Sequence, residues 1–218
     1  VRYVISKSFQ SKVERTPRVL EVAESFGLGL QDKVFTVYDN LELDIEQGDV
    51  VYITGQSGSG KSLLLRELAE RMSLCSKGEP SSVADVDRVI VCDKPLIDQV
   101  GETMTDAIRI LSMAGINDAY LLIRKPGELS DGQRYRLGLA KLIESGAKVW
   151  VADEFGAKLD RVTAKVVALN MQKIARKMGV TLIVATTHTD LEKELGPDLK
   201  IEKRYMDRVE ITTDREVI

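Results

Sequence analysis

Residues 55–62, Gly55-Gln56-Ser57-Gly58-Ser59-Gly60-Lys61-Ser62, fit the pattern G-x-x-x-x-G-K-[ST]. The near-continuous apolar run VVYIT at 50–54 precedes them. Ser62 to Met72 follows and reads as a helix with Leu63, Leu64, Leu65 and Leu68 on its inner side. That strand-loop-helix context is what gives the pattern its force. Glycines let successive backbone N–H groups curl around phosphate oxygens, and the helix N-terminus adds a favourable dipole. Lys61 is placed to reach the β- and γ-phosphates of a nucleotide, and Ser62 to bind Mg²⁺. An apolar strand feeding such a loop belongs to a sheet covered on both faces, so an α/β fold is expected.

Other segments agree with that class. VFTVY at 34–38 and LELDI at 41–45 alternate, and a Gly48-Asp49 turn leads into 50–54. Val89-Ile90-Val91, VWVA at 149–152 and TLIVATT at 181–187 read as further buried strands. Residues 100–126 look mainly helical and end at Pro126-Gly127, Gln133 to Glu144 continues as helix, and 161–178 is a long helix. SKGEPSS at 76–82 reads as a loop. Strands alternating with helices imply parallel pairing with right-handed crossovers. The expected organisation is a basic N-terminal segment or linker at 1–18, then one nucleotide-binding domain at 19–218 with a small helical lobe near 100–140.

Bulk properties exclude several classes. Charged residues make up 30% of the chain and nearly cancel, to a net charge of −3, which gives no overall pull toward nucleic acid or anionic membrane. No apolar stretch approaches the ~18 residues of a membrane span, and no signal-peptide pattern opens the chain. Cys75 and Cys92 are too few for a disulfide framework or zinc site. The single histidine, His188, excludes a multi-histidine metal site. A reducing, cytoplasmic setting is expected. The first residue is Val1, which suggests a piece of a longer protein.

Four further motifs follow the phosphate loop in order. Asp153-Glu154 ends the apolar run VWVA, so the strand delivers two carboxylates to the carboxyl edge of the sheet. Asp153 suits Mg²⁺, and Glu154 suits orienting and polarising an attacking water. Leu129-Ser130-Asp131-Gly132-Gln133 precedes a helix that Ser130 can cap. Ala157-Lys158-Leu159-Asp160 and Thr186-Thr187-His188 complete the series.

The set, over roughly residues 20–190, resembles the ATP-binding-cassette (ABC) ATPases. The resemblance implies a P-loop NTPase core with a mixed sheet flanked by helices, an N-terminal antiparallel β portion and a small helical lobe. It also implies a nucleotide-sandwich dimer of two identical chains that binds ATP and Mg²⁺ and hydrolyses ATP. Ser130, Asp131, Gly132 and Gln133 correspond to the signature sequence, which contacts the γ-phosphate of ATP held by the opposite subunit. Asp131 replaces the commoner second glycine and brings negative charge toward a negative ligand. Asp160 matches the D-loop aspartate that links the two sites, and His188 the switch histidine that touches the γ-phosphate. The aromatic that stacks on adenine is assigned to Phe26, with Phe35 and Tyr38 competing. At the position of the transporter Q-loop glutamine, VIVCDKP places Asp93, a candidate metal ligand, and Gln99 follows six residues later.

Asp93 and the spacing of 69 residues from Lys61 to Ser130 favour a soluble, non-transporter member. PLIDQVGE, LSDGQRYRLGLAKLI and VWVADEFGAKLDRVTAKVV resemble a mainly archaeal group whose ATPase is often joined to a predicted acetyltransferase domain, linked or separate. The alternative is the ATP-binding subunit of a membrane transporter. A third reading is a nucleic-acid-associated ATPase. It rests on the basic N-terminal segment and on helix 161–178, which carries Arg161, Lys165, Lys173, Arg176 and Lys177 without an acid. Val162, Val166, Leu169 and Ile174 are read as that helix's buried side.

Overall fold

The computed structural model describes residues 1–75, 83–204 and 209–213. It divides into two compact units, residues 2–43 and a larger one formed by residue 1 with 44–218.

In the smaller unit, β1 (Arg2–Ser11) pairs with β2 (Lys33–Asp44) around the helix α1 (Pro17–Phe26). The strands run antiparallel, with Arg2 facing Glu42, Ser6 facing Asn40 and Ser8 facing Thr36. The runs at 34–38 and 41–45 are therefore one strand. Between them Asn40 takes a positive φ of 47°, and its N–H donates to the Ser6 hydroxyl at 3.0 Å. Helix α1 has legible ends: Thr16 caps it by accepting from the Val19 N–H, Pro17 opens it, and Gly27 closes it at φ 62°.

Among the described residues, the larger unit holds a six-stranded sheet. Its strands in chain order are β3 (Val50–Gly55), β4 (Val83–Asp85), β5 (Val149–Ala152), β6 (Thr181–Thr186), β7 (Leu199–Lys203) and β8 (Val209–Thr213). They lie side by side as β4-β5-β6-β3-β7-β8, the first five parallel and β8 antiparallel to β7. The sheet is mixed and flanked by helices, as the fold class requires. The helices are α2 (Lys61–Cys75), α3 (Met104–Met113), α4 (Ala119–Leu122), α5 (Asp131–Glu144), α6 (Arg161–Met178) and α7 (Glu192–Leu195). Side chains alternate across each strand. Val50, Tyr52, Trp150, Leu182 and Val184 join one cluster with Leu111, Leu139 and Met171 of α3, α5 and α6. Val51, Ile53, Val151 and Ile183, on the alternate positions, are equally buried, and Leu64, Leu65 and Leu68 of α2 are buried with them. Burial on both faces explains why β3, β5 and β6 carry unbroken apolar runs.

Three expectations are corrected here, and one lies outside the described residues, the loop at 76–82. Val89-Ile90-Val91 is not a buried strand: Ile90 is 86% exposed, and Val83–Asp85 pairs with β5 instead. A turn at Asp85–Arg88, closed by the Arg88 N–H on the Asp85 carbonyl, leads the chain off the sheet before the apolar triplet is reached. An apolar run of three has too little period to reveal its partner. Helix α6 is rotated from its expected setting. It buries Ala164, Val167, Ala168, Met171, Ile174 and Ala175, while Val162 is 73% and Val166 52% exposed. Small alanines allow close packing on the sheet, and ranking faces by side-chain size overlooked them. The basic residues of α6 are not an unopposed charged face either. Arg161 and Lys165 meet Asp190, and Arg176 meets Asp198.

Candidate nucleotide site

The carboxyl ends of adjacent parallel strands β3, β5 and β6 lie at one sheet edge, where ligands of open α/β folds bind. Gly55 ends β3 at φ 139°, and a Cβ there would sit 2.0 Å from the Lys203 carbonyl oxygen of β7. Only glycine allows β3 and β7 to stay paired to their ends while the loop turns away. The loop then passes through Gly58 at φ 73° and Gly60 at φ 101° before α2 begins.

Ser57, Gly58, Gly60, Lys61 and Ser62 form one wall of a cleft of about 320 Å³. Asp153, Glu154, Ala185, Thr186 and Thr187 form the other. Lys61 is 8% exposed, and its Nζ donates to the Gln56 carbonyl at 2.7 Å, bridging the loop from within. Burial pulls its pKa below the usual lysine range, and the charges of Asp153 and Glu154 pull it partly back. Ser62 Oγ donates to Asp153 Oδ1 at 3.0 Å. The Glu154 N–H reaches the same oxygen at 3.0 Å.

Glu154 has φ 46°, a left-handed value that costs a non-glycine residue roughly 1–3 kcal/mol and persists where the surroundings impose it. The Phe155 N–H on the Ala185 carbonyl at 2.9 Å and the Ala157 N–H on the Glu154 carbonyl at 2.9 Å close this turn. The result is a carboxylate at 153 against Ser62 and a second, exposed carboxylate lining the same cleft. A hydroxyl and a carboxylate in contact are a donor set suited to Mg²⁺, which keeps waters and takes its remaining ligands from phosphates. No group of three or more His, Cys, Asp or Glu that could hold a metal ion lies among the described residues.

His188 follows the cleft wall and is held through three of its four polar atoms. Its N–H donates to Thr186 Oγ1 at 3.1 Å, its carbonyl accepts from the Tyr52 hydroxyl, and its Nδ1 faces Arg161 Nη1 at 2.7 Å. Tyr52 is fully buried in β3. Burial first, then the Glu192 and Asp190 carboxylates, push its pKa up to about 12, so it remains a hydrogen donor.

The signature residues are elsewhere. Ser130, Asp131, Gly132 and Gln133 open α5 and do not line the cleft. Ser130 Oγ accepts from the Gln133 N–H at 3.3 Å, and Gln133 Oε1 accepts from the Ser130 N–H at 2.9 Å, a reciprocal cap. A Cβ on Gly132 would lie 3.0 Å from the Lys158 carbonyl oxygen, so the signature packs on the 157–160 loop of its own chain. Tyr135 meets Phe155 edge to face at 6.3 Å, and Lys158 lies over the Tyr135 ring at 5.9 Å. Through these contacts α5, the 157–160 loop and the turn after β5 form one packed group. Asp131 is exposed and 3.8 Å from Arg134, which offsets part of its charge. Asp160 caps α6 through the Thr163 and Val162 N–H groups, and its hydrogen bonds to Thr163 hold its carboxyl below the usual range.

Asp93 and Gln99 of the larger unit are not part of the cleft lining. Asp93 is exposed and pairs with Lys125 at 3.0 Å. Gln99 is buried; its side chain accepts from the Cys92 N–H at 3.2 Å and donates to the Lys94 carbonyl at 2.7 Å, tying the 92–99 turn together. Phe26 and Phe35, in the smaller unit, are 76% and 54% exposed, whereas Tyr38 is buried, which raises its hydroxyl pKa. Two residues of the site were not anticipated. Tyr52 was hidden within an apolar run, and Arg161 was read only as part of a basic helix, although its place directly after Asp160 could have marked it.

Comparison with known proteins agrees with this geometry. Residues 38–157 match the ABC transporter family. An aliphatic sulfonates import ATP-binding protein of Rhodococcus jostii is 33% identical over 202 residues, covering 85% of this chain and 78% of that protein. A methionine import ATP-binding protein of Oceanobacillus iheyensis is 27% identical over 188 residues, covering 72% of this chain but 55% of that protein. The chain thus spans about half the length of the methionine import proteins it matches. In fold it is similar to a dimeric ATP-binding cassette solved in a post-hydrolysis state with ADP and Pi. The TM-score is 0.68 at 17% identity, covering 99% of this chain and 100% of that one. With the phosphate loop, the paired Ser62 and Asp153 and the sheet order all in place, the chain belongs to the ABC transporter family of ATP-hydrolysing domains.

Proposed function

We propose that this chain binds Mg-ATP and hydrolyses it at a site completed by a second copy, acting as the ATP-binding subunit of a membrane transporter. The observation that carries the chemistry is the meeting of Lys61, Ser62, Asp153 and Glu154 in one cleft, with Ser62 already 3.0 Å from Asp153. Backbone N–H groups of 55–62 cradle the phosphates, Lys61 exchanges its Gln56 contact for phosphate oxygens, and Ser62 and Asp153 hold the metal. Mg²⁺, when bound, neutralises charge on the phosphate oxygens. Glu154 orients and polarises the attacking water, and His188 contacts the γ-phosphate. Phe26 is the proposed adenine platform, and Asp93 an outer contact of the metal site that would have to leave Lys125.

A second copy is proposed because Ser130 to Gln133 lie outside the cleft that their own chain provides. They cap α5 with a helix N-terminus, the arrangement that binds anions. A dimer similar to the solved cassette would bring them to the other chain's nucleotide.

The relatives favour the transporter reading over the soluble one, since the two named above are import ATP-binding proteins. No helix among the described residues is long and apolar enough to cross a membrane. The soluble reading keeps one observation in its favour. Asp93 and Gln99 face Lys125 and the 92–99 backbone rather than the cleft. These relatives do not show an acetyltransferase partner, linked or separate.

The test is light scattering of Glu154→Gln with and without Mg-ATP. A nucleotide-dependent shift from monomer to dimer, with turnover down about 10²–10⁴-fold, is expected. A persistent monomer with normal turnover refutes the composite site. Affinity capture of the tagged native protein from detergent-extracted membranes then separates the two cellular roles: a co-purifying integral membrane protein supports transport, and recovery solely from the soluble fraction overturns it.

A further inference from the structure

We infer that Arg161 is a positioning residue for the reaction. It fixes the tautomer of His188, so that Nε2–H is the one donor the ring offers. This rests on the reading of His188 as the γ-phosphate contact.

The argument starts from the guanidinium, which has five N–H donors and no acceptor. Arg161 Nη1 lies 2.7 Å from His188 Nδ1. At that distance Nδ1 must present its lone pair, because a proton there would set N–H against N–H. The neutral ring then carries its hydrogen on Nε2. Among the described residues Nε2 has no hydrogen-bond partner, while the backbone N–H, the carbonyl and Nδ1 are all engaged. A ring so held can donate to a phosphate oxygen and cannot accept from one.

Arg161 is itself braced. Its other terminal nitrogen pairs with Asp190, whose second oxygen is 3.7 Å from Lys165, and Lys165 is 4.0 Å from Glu194. The charged groups linked to the guanidinium are therefore Asp190 on the loop after His188 and, beyond it, Lys165 of α6 and Glu194 of α7. Tyr52 holds the carbonyl from beneath. Arg161 also begins α6 directly after Asp160, which caps that helix. The Arg161 side chain therefore links the end of the 157–160 loop to the imidazole. A loop expected to face the partner subunit is thereby tied to the ring that reads the γ-phosphate.

The chain has one histidine, so ¹⁵N spectra of the imidazole report His188 alone. In the nucleotide-free full chain, long-range ¹H–¹⁵N correlation should show a protonated Nε2 and a bare, hydrogen-bonded Nδ1. Arg161→Ala should shift the Nδ1 resonance toward that of an unbonded nitrogen and admit the Nδ1–H form. Asp190→Asn, which keeps the guanidinium, should retain the wild-type pattern. ATP turnover should fall about 10–100-fold in Arg161→Ala with KM little changed, by analogy with the partners that orient metal-bound histidines. Arg161→Lys, which keeps a cationic N–H donor group, should recover part of it. A protonated Nδ1 in the wild type, or an Nδ1 signal indifferent to Arg161→Ala, overturns the inference. So does an equal loss of turnover on adding Arg161→Ala to a His188→Ala background, where no further loss is expected. Because the spectra need no nucleotide, they stand apart from the function of His188. If His188→Ala alone leaves turnover unchanged, it is the γ-phosphate reading that fails.

Discussion

Replacing Gly55 by alanine measures how closely the phosphate loop depends on the β3–β7 pairing. The new Cβ would lie 2.0 Å from the Lys203 carbonyl oxygen and 2.9 Å from its carbon. Both are backbone atoms held by the pairing of Gly55 with Lys203, so no side chain can swing aside. Relief requires β7 to move away by more than 1 Å or the loop to leave its path, an overpacking penalty of roughly 1–3 kcal/mol. The φ of 139° adds about 1–3 kcal/mol for any residue with a Cβ. Gly58→Ala is the internal control: its φ is 73°, but nothing lies within 4 Å of its Cβ, so it carries strain without collision. Both substitutions remove the same freedom from the unfolded chain, and that term cancels between them. Gly55→Ala should therefore be the less stable by about 1–3 kcal/mol, roughly 3–10 °C in Tm for a chain of this size. Thermal denaturation of both variants without nucleotide, followed by circular dichroism, makes the measurement. Equal Tm values would refute the claim that the close approach to Lys203 selects glycine. A difference of the expected size accompanied by weakened ATP binding would show that the loop is positioned by its sheet partner.

Lys61→Ala removes the buried ammonium that bridges to Gln56 and should abolish nucleotide binding, read by equilibrium titration with a fluorescent ATP analogue. Retained binding would place the phosphates elsewhere. Ser130→Arg puts a long cation at the exposed cap of α5 and should leave monomer binding of ATP intact while blocking closure of the dimer. Sedimentation of the double variant with Glu154→Gln reads this directly, and a dimer that still forms would show that α5 does not face a partner.

The phosphate loop, the carboxylate pair and the long helices were legible in the sequence because each is written in contiguous residues with a strong local cause. Glycines with a following Lys-Ser demand one kind of turn, β3, β5 and β6 are apolar without interruption, and α6 begins at a capping aspartate and ends at Gly179. The helix at 161–178 was legible to the residue, yet its buried face was not. Which stripe turns inward depends on how closely the neighbouring sheet approaches, and alanines at 164, 168 and 175 won over larger valines. Strands β7 and β8 escaped notice because β7 buries only alternate residues and β8 lies at the sheet edge, so neither has the apolar density of the central strands.

By itself, then, the sequence determined the chemical inventory: a lysine, a serine, two carboxylates and one histidine, each next to a strand end or helix start. Tertiary structure alone decided how they meet. Strand order places β3 between β6 and β7 and leaves β5 one strand further along, and that order brings Ser62 to Asp153 across 91 positions of chain. It also brings Arg161 to His188 across 27, and turns Asp93 toward Lys125. Local patterns fix backbone conformation through steric and hydrogen-bonding rules that act over a few residues. Partner choice between distant side chains follows from packing the whole sheet, and no short window of sequence contains it.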